Sequence, residues 1–399
     1  MSDHNTRSIV DELLASLDIP DSAYEKAEAR YKDLGEWFDR AESHCSPFAP
    51  HIYPQGSFRL GTVIRPLTGR LEFDLDLGVR LREGITKGTY TQKELKELTG
   101  LDLEEYRKAR QIESALEEKN RCWRLAYKDV VRFHIDAVPS IPEEENVKVA
   151  LTDSMVKFGT VKALAESVTR HAGAITDKRS PDYKVISDRW KISNSEGFAL
   201  WFESRIKLAS QLLEERAFSA KAAQVDNLPA RRWKSPLQQA VQILKRHRDV
   251  MFEHAPDSAP ISVIITTLAG LAYDGEEDAA SAVECILTDM HVHVRQSGPR
   301  VPNPVNPAED FADKWHDPGY AEFQLEANFW TWLSAAKRDF KIIAGSRDIT
   351  YLADQVRAKF AATINEESLK AKLGFPNVTA PKPKVHVVSE QPAKPWAQA

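Results

Sequence analysis

The segment Phe73-Asp74-Leu75-Asp76-Leu77-Gly78-Val79 alternates apolar and acidic residues at the two-residue period of a strand, and this limits what the surrounding chain can become. Phe73, Leu75, Leu77 and Val79 share one face, while Asp74 and Asp76 project together from the other. A second apolar strand, Val131-Arg132-Phe133-His134-Ile135-Asp136-Ala137-Val138, puts Val131, Phe133 and Ile135 inward and Asp136 with the opposite set. If the two strands are neighbours, three carboxylates converge, and they repel one another unless a cation of high charge density sits among them. Magnesium suits such a site because it is a hard ion that prefers carboxylate oxygen, water and substrate phosphates.

Upstream lies Gln55-Gly56-Ser57. Gly56 lets backbone N–H groups approach a phosphate, and the Ser57 hydroxyl can donate a hydrogen bond to it. Singly, each element has a bland explanation: a D-x-D on a strand is usually a solvated face, and a Gly-Ser pair is usually a turn. Their order and spacing together point to a phosphate- and metal-handling site.

In that order the residues resemble the nucleotidyltransferase signature of the DNA polymerase β-like superfamily. Within it, Tyr53-Pro54-Gln55-Gly56-Ser57-Phe58, Ile64-Arg65-Pro66 and His134-Ile135-Asp136-Ala137-Val138-Pro139 are similar to the bacterial cGAS/DncV-like nucleotidyltransferases, the CD-NTases of CBASS antiphage systems. The resemblance implies an α+β fold of two lobes: a mixed catalytic sheet with flanking helices, an α-helical C-terminal lobe, and a long N-terminal helix running along both. It implies two Mg2+ ions, replaceable by Mn2+, held by Asp74, Asp76 and Asp136, with Gln55, Gly56 and Ser57 at the nucleotide. By the same match Lys245 and Ser262 contact the donor phosphates. Animal relatives often carry an aromatic residue after the position of Ser262; here it is Val263, so base stacking must come from elsewhere.

The implied activity is synthesis of a cyclic dinucleotide from GTP, ATP or both, with a cyclic trinucleotide still open. A cyclic-nucleotide-responsive effector would act downstream. Two other readings compete: a transferase acting on a tRNA or protein acceptor, and a non-catalytic nucleotide-binding module. The net charge of −5 argues against the first and against a nucleic-acid activator, and the presence of all three carboxylates argues against the second.

At 399 residues, 42% hydrophobic and 28% charged, the chain has the size and composition of two globular domains. With no apolar run of membrane-spanning length and no signal peptide, the expected location is cytoplasmic, without a membrane partner, as a monomer. Cys45, Cys122 and Cys285 are too scattered for a disulfide framework or zinc ribbon, and His291 and His293 lack ligand partners at suitable spacing.

Taken in order, residues 5 to 46 show helical periodicity broken after Pro20, and 47 to 82 supply the first strands. The segment 83 to 128 reads as a largely solvated helix, Pro139 and Pro142 as an exposed turn, Val147 to Leu151 and Tyr183 to Ser187 as edge strands, with a helix around Met155 to His171 between them. These readings place a catalytic domain at 1–193, a helical lobe at 194–378 and a flexible tail at 379–399. In the second lobe Pro236 opens a helix whose Lys245 and Arg248 share a face. Val301 to Pro307 reads as a packing loop at the lobe interface, with helices following at 319 to 343 and 346 to 372. The tail, rich in proline and lysine, fits attachment by a ubiquitin-ligation-like conjugating enzyme, as the resemblance suggests.

Overall fold

The computed structural model describes residues 4–67, 72–128, 132–206, 234–296, 298–346 and 348–364, with Glu367 and Leu369. Val131 and the tail from 379 onward lie outside them.

Two helices open the chain, α1 (His4–Leu17) and α2 (Asp21–Asp39). Then come β1 (Pro50–Pro54), the single turn α3 (Gly56–Arg59), β2 (Glu72–Leu81), α4 (Gln92–Ala109), β3 (Glu117–Glu118), β4 (Trp123–Tyr127) and β5 (Arg132–Pro142). The helices α5 (Glu145–Lys157) and α6 (Lys162–Thr169) precede two short strands, β6 (Gly173–Ile175) and β7 (Lys191–Ser193). The rest is mainly helical: α7 (Ser195–Ser204), α8 (Pro236–Met251), α9 (Ser262–Ala272), α10 (Ala279–Gln296), α11 (Leu325–Gly345) and α12 (Ile349–Phe360), with a hairpin β8 (Pro302–Asn303) and β9 (Asn306–Asp310) between α10 and α11.

Among the described residues, β1 to β7 form one mixed sheet in the order β1-β2-β5-β4-β3, with β6 joined to the far end of β5 and β7 joined to β6. Only β2 and β5 run parallel; the other pairings are antiparallel. The alternation drives this arrangement, since Phe73, Leu75, Leu77, Val79, Phe133 and Ile135 are all at most 4% exposed on one face. That face packs on α2 and α4 through Tyr31, Leu34, Phe38, Leu95 and Leu103.

A second core belongs to the helices α5 to α12 and includes Phe202, Leu237, Leu244, Ile265, Trp332 and Val356. The N-terminal helices divide between the two cores. Ile9, Leu13 and Leu17 of α1 belong to the helical core, whereas Ile19, just past the end of α1, and Ala23, Ala27 and Tyr31 of α2 belong to the sheet core. The expected long helix therefore runs along both lobes in two pieces, broken where Pro20 precedes α2.

Local chemistry sets the helix starts. Thr91 and Glu94 close a capping box on α4, and Ser235 and Gln238 do the same on α8, where Pro236 occupies the first turn. Asn194 accepts from the Gly197 N–H at 3.0 Å and starts α7.

Several local expectations are overturned. The segment 83–128 is not one solvated helix: α4 ends at Ala109, Gln111 takes a positive φ of 52°, and β3 and β4 pair back towards β5. Its charges are not all solvated either, since Lys96 and Asp102 are fully buried. Val147 to Leu151 lies in α5, where Leu151 and Met155 are buried four residues apart, and the β-branched residues yield to that packing. Tyr183 to Ser187 forms a turn, and the edge strands are β6 and β7. Pro139 and Pro142 are within β5 rather than in a turn beyond it. The Val301 to Pro307 loop builds a hairpin, and the helix expected over 346 to 372 is interrupted: α12 stops at Phe360, where Ala361 adopts φ 46°, and Glu367 and Leu369 are helical again.

Candidate active site

Three strands set the acidic residues in rows across the sheet. Asp76 of β2 is in register with Asp136 of β5, which is in register with Arg124 of β4. One row on, Asp74 faces His134, which faces Ala126. Because side chains on one sheet face repeat every second residue, Asp74, Asp76, His134 and Asp136 share a surface.

The Gly56-Ser57 turn sits on this surface. Gln55 N–H donates to the Asp76 carbonyl at 2.7 Å, and Gly56 holds φ at 60°. A Cβ at Gly56 would lie 2.0 Å from Asp76 Oδ2, so only glycine lets the turn come this near the carboxylate.

Beside the turn is a cavity of about 560 Å³ with walls from both lobes. The sheet lobe contributes Gly56, Ser57, Asp74 and Asp76; the helical lobe contributes Lys245 and Asp249 of α8, and Ser262 and Thr266 of α9. Six of the eight residues expected at the site thus meet at one cavity. Gln55 and Asp136 are not in its wall: the Gln55 side-chain amide lies over Gly78, and Asp136 is held on the β4 side.

Burial together with the Asp136 and Asp74 charges pushes the Asp76 carboxyl up to about 6, against the opposing pull of Arg124 and Lys245. Lys245 is pushed down to about 8, by burial first and then by the Arg248 charge. Its Nζ donates to the Thr62 carbonyl at 2.9 Å. Neighbouring side chains of α8 hold the same segment: Gln238 donates to the Leu60 carbonyl at 2.9 Å, Gln242 to that of Val63 at 2.7 Å, and Arg246 to that of Arg65. The chain that follows the Gly-Ser turn is therefore fixed to the helical lobe. Arg248, expected to share a face with Lys245, adds its charge to the Lys245 environment and donates to the Pro260 carbonyl and to Ser262 Oγ at 3.2 Å. Ser262 opens α9, so the positive end of that helix faces the cavity.

Sequence reasoning missed several participants. Arg124 forks both oxygens of Asp136, at 2.7 and 2.6 Å, and lies 3.9 Å from Asp74. The alternation of Trp123 to Tyr127 carries that signal, but the charged run before it points to continued helix. Phe311 and Phe198 line the cavity and meet edge to face at 6.0 Å, offering apolar ring surface in the lobe interface where Val263 offers none. Asn303 and Glu309 of the hairpin line it too, so the Pro/Asn segment does more than pack.

A mixed sheet that sets acidic side chains against a glycine-serine turn, closed over by a helical lobe, is the architecture of a nucleotidyltransferase. The family described as "Cyclic GMP-AMP synthase DncV-like, nucleotidyltransferase domain" matches residues 50–139. A c-di-GMP synthase of Roseivirga ehrenbergii is 27% identical over 321 residues, covering 78% of this chain and 75% of that protein. The cyclic dinucleotide synthase CdnG of Bradyrhizobium diazoefficiens is 24% identical over 397 residues, covering 91% of this chain and 82% of the relative. The solved structure of that CdnG in complex with GTP superposes with a TM-score of 0.62 at 20% identity, over 92% of this chain and 98% of the other. Residues 50–139 thus match a DncV-like nucleotidyltransferase domain, and the fold around them is that of the CD-NTase structures. Among the described residues, no helix is long and apolar enough to cross a membrane.

Proposed function

We propose that this protein is a cyclic dinucleotide synthase that joins purine nucleoside triphosphates, GTP foremost, into a second messenger of antiphage defence. The observation that carries this is the contact of the Gly56-Ser57 turn with Asp76, itself in register with Asp136, in a cavity closed by Lys245 from the other lobe. The names of the two curated relatives support the product class, and the GTP bound by the CdnG structure supports the substrate.

The residues present suit a divalent cation by their chemistry. Asp74, Asp76 and Asp136 offer hard oxygen donors, and the burial and mutual repulsion that together raise the Asp76 pKa are what a bound cation would relieve. Among the described residues no three acidic, histidine or cysteine side chains already stand as a metal cluster, and Asp136 is hydrogen-bonded to Arg124. When bound, Mg2+ ions would neutralise the triphosphate and lower the pKa of the attacking ribose hydroxyl.

The protein's own groups do the remainder. Ser57 Oγ and Lys245 Nζ hold the β- and γ-phosphates, preorganised for the charge that the departing pyrophosphate develops. Ser262, at the start of α9, adds a further donor to those phosphates. Asp136 lies on the side of the attacking hydroxyl and accepts its proton. The ribose oxygen bonds to the α-phosphorus of a second nucleotide, the bond to the pyrophosphate oxygen breaks, and a second such transfer closes the ring. Phe198 and Phe311 give the bases an apolar wall.

Incubating purified protein with GTP, ATP and their mixture in Mg2+ or Mn2+, followed by phosphatase and mass spectrometry, tests this. A phosphatase-resistant cyclic dinucleotide is expected. A linear product, or a nucleotide attached to a macromolecular acceptor, would replace the proposal.

A further inference from the structure

Arg124 is the one cation whose guanidinium takes both oxygens of an active-site carboxylate among the described residues. The row Arg124, Asp136, Asp76 runs across three strands, so Asp136 has a choice of neighbours: a guanidinium on β4 or the acidic pair on β2. In this structure it goes to the guanidinium, with hydrogen bonds of 2.7 and 2.6 Å from Nε and Nη2. The geometry is that of a bidentate Arg–carboxylate pair, the strongest such contact a side chain makes. Arg124 also lies 3.9 Å from Asp74, so its charge is shared over two of the three acidic residues.

The fork has a consequence for any divalent ion. A divalent ion that Asp136 would hold together with Asp76 would draw on an Asp136 oxygen now taken by Arg124 and would add positive charge near the guanidinium, which opposes it. Arg124 is not locked in place: its side chain is 30% exposed, and among the described residues no other carboxylate hydrogen-bonds to it. It can swing to solvent.

We infer that Arg124 is a resident counter-ion that competes with the divalent cation for Asp136, holding the nucleotide-free site at low cation affinity until a triphosphate arrives. The triphosphate brings negative charge of its own, which offsets the guanidinium and lets Asp136 turn to the ion. The site then assembles only around substrate, and Arg124 acts as a positioning residue through Asp136. This inference rests on the reading that Asp74, Asp76 and Asp136 hold a cation.

The test is Mn2+ binding to the full chain without nucleotide, read from the loss of the free Mn2+ EPR signal, for the wild type, Arg124→Gln and Arg124→Lys. Arg124→Gln is expected to bind Mn2+ about 10-fold more tightly, a size that coupling between touching charged side chains reaches. Arg124→Lys keeps the charge without the fork and falls between the two. In an Asp136→Asn background the Arg124→Gln effect disappears, which a merely structural role for Arg124 would not produce. Equal or weaker Mn2+ binding by Arg124→Gln overturns the inference and leaves the cation site standing. Absence of Mn2+ uptake by every variant, even with a non-hydrolysable GTP analogue, overturns the cation site and the inference with it.

Discussion

Lys245 Nζ donates a 2.9 Å hydrogen bond to the Thr62 carbonyl, and the Thr62 N–H donates at 2.9 Å to the Ser57 carbonyl. One residue thus links the buried lysine of the helical lobe to the phosphate turn of the sheet lobe. The lysine costs stability where it sits. Its folded pKa, about 8, is below the usual 10.5, so the unfolded chain binds more protons between those values and stability rises with pH across that window. Below pH 8 the burial costs on the order of 3 kcal/mol.

Lys245→Met therefore should stabilise the protein at pH 7 by about 1–2 kcal/mol once the lost hydrogen bond is deducted, with the gain fading by pH 10. Urea denaturation at the two pH values measures it. The same variant should lose at least about 100-fold in kcat/KM for the triphosphate, the usual cost of removing one preorganised donor. A variant less stable at pH 7 would show that the lysine serves structure rather than substrate.

Asp76 carries the opposite sign. Its folded pKa is raised from 3.8 to about 6, so the native state binds more protons in that window and stability falls as pH climbs through it. Above pH 6 the ionised carboxylate costs on the order of 3 kcal/mol while no cation is present. Asp76→Asn, alone or with Asp74→Asn, should then be more stable than wild type at pH 7.5 in EDTA, yet make no product. Mg2+ should stabilise the wild type by about 2.7 kcal/mol at a hundredfold excess over its Kd and leave the double variant unchanged. Equal stabilisation of both would place the cation elsewhere.

The site was legible where the backbone period does the work. Asp74, Asp76 and Asp136 declare their shared face through strict alternation with buried Phe73, Leu75, Phe133 and Ile135, and the structure sets Asp76 and Asp136 in register. Cooperation across strands was not legible. Arg124 matters because β4 lies beside β5, and a five-residue strand following a charged helix reads from sequence as more of that helix. Phe311 and Asn303 belong to a hairpin whose approach to α7 is decided by tertiary packing, beyond the reach of any local pattern. Val147 to Leu151 failed differently: its β-branched residues favour a strand, but a helix there buries Leu151 and places Met155 in the helical core.

Two glycines separate backbone strain from contact with the site. Gly56 and Gly159 both have positive φ, 60° and 92°, but a Cβ at Gly56 meets Asp76 Oδ2 whereas one at Gly159 meets nothing within 4 Å. Alanine at either position should cost about 1–2 kcal/mol from the backbone alone. Gly159→Ala should keep full activity at that lower stability, while Gly56→Ala should also displace Asp76 and reduce kcat by at least about 100-fold. Denaturation and turnover measured on both variants decide this, and retained activity in Gly56→Ala would remove the turn from the catalytic arrangement.

Glu196, in the first turn of α7 beneath the cavity residues Asn194 and Ser195, pairs with the buried Arg80 at 2.6 Å and lies 3.3 Å from His171. Burial by itself would raise its pKa, but hydrogen bonds from His171 and His51 and the Arg80 charge hold it well below the usual 4.5. A depressed carboxyl pKa stabilises the fold above pH 4.5, and that contribution is lost as pH falls towards the folded value. Glu196→Gln leaves the Arg80 guanidinium buried without its counter-charge and should destabilise by about 3–5 kcal/mol at pH 7. The deficit relative to wild type should shrink as the pH is lowered from 5 towards 3, because Glu196 then takes up a proton in the unfolded chain while the folded protein still holds it ionised, which lowers the wild type's stability. Because Glu196 joins β2 to the start of α7 without touching the cavity, the variant should retain its KM for triphosphate at temperatures where it stays folded. A raised KM with unchanged stability would instead make Glu196 part of the substrate wall.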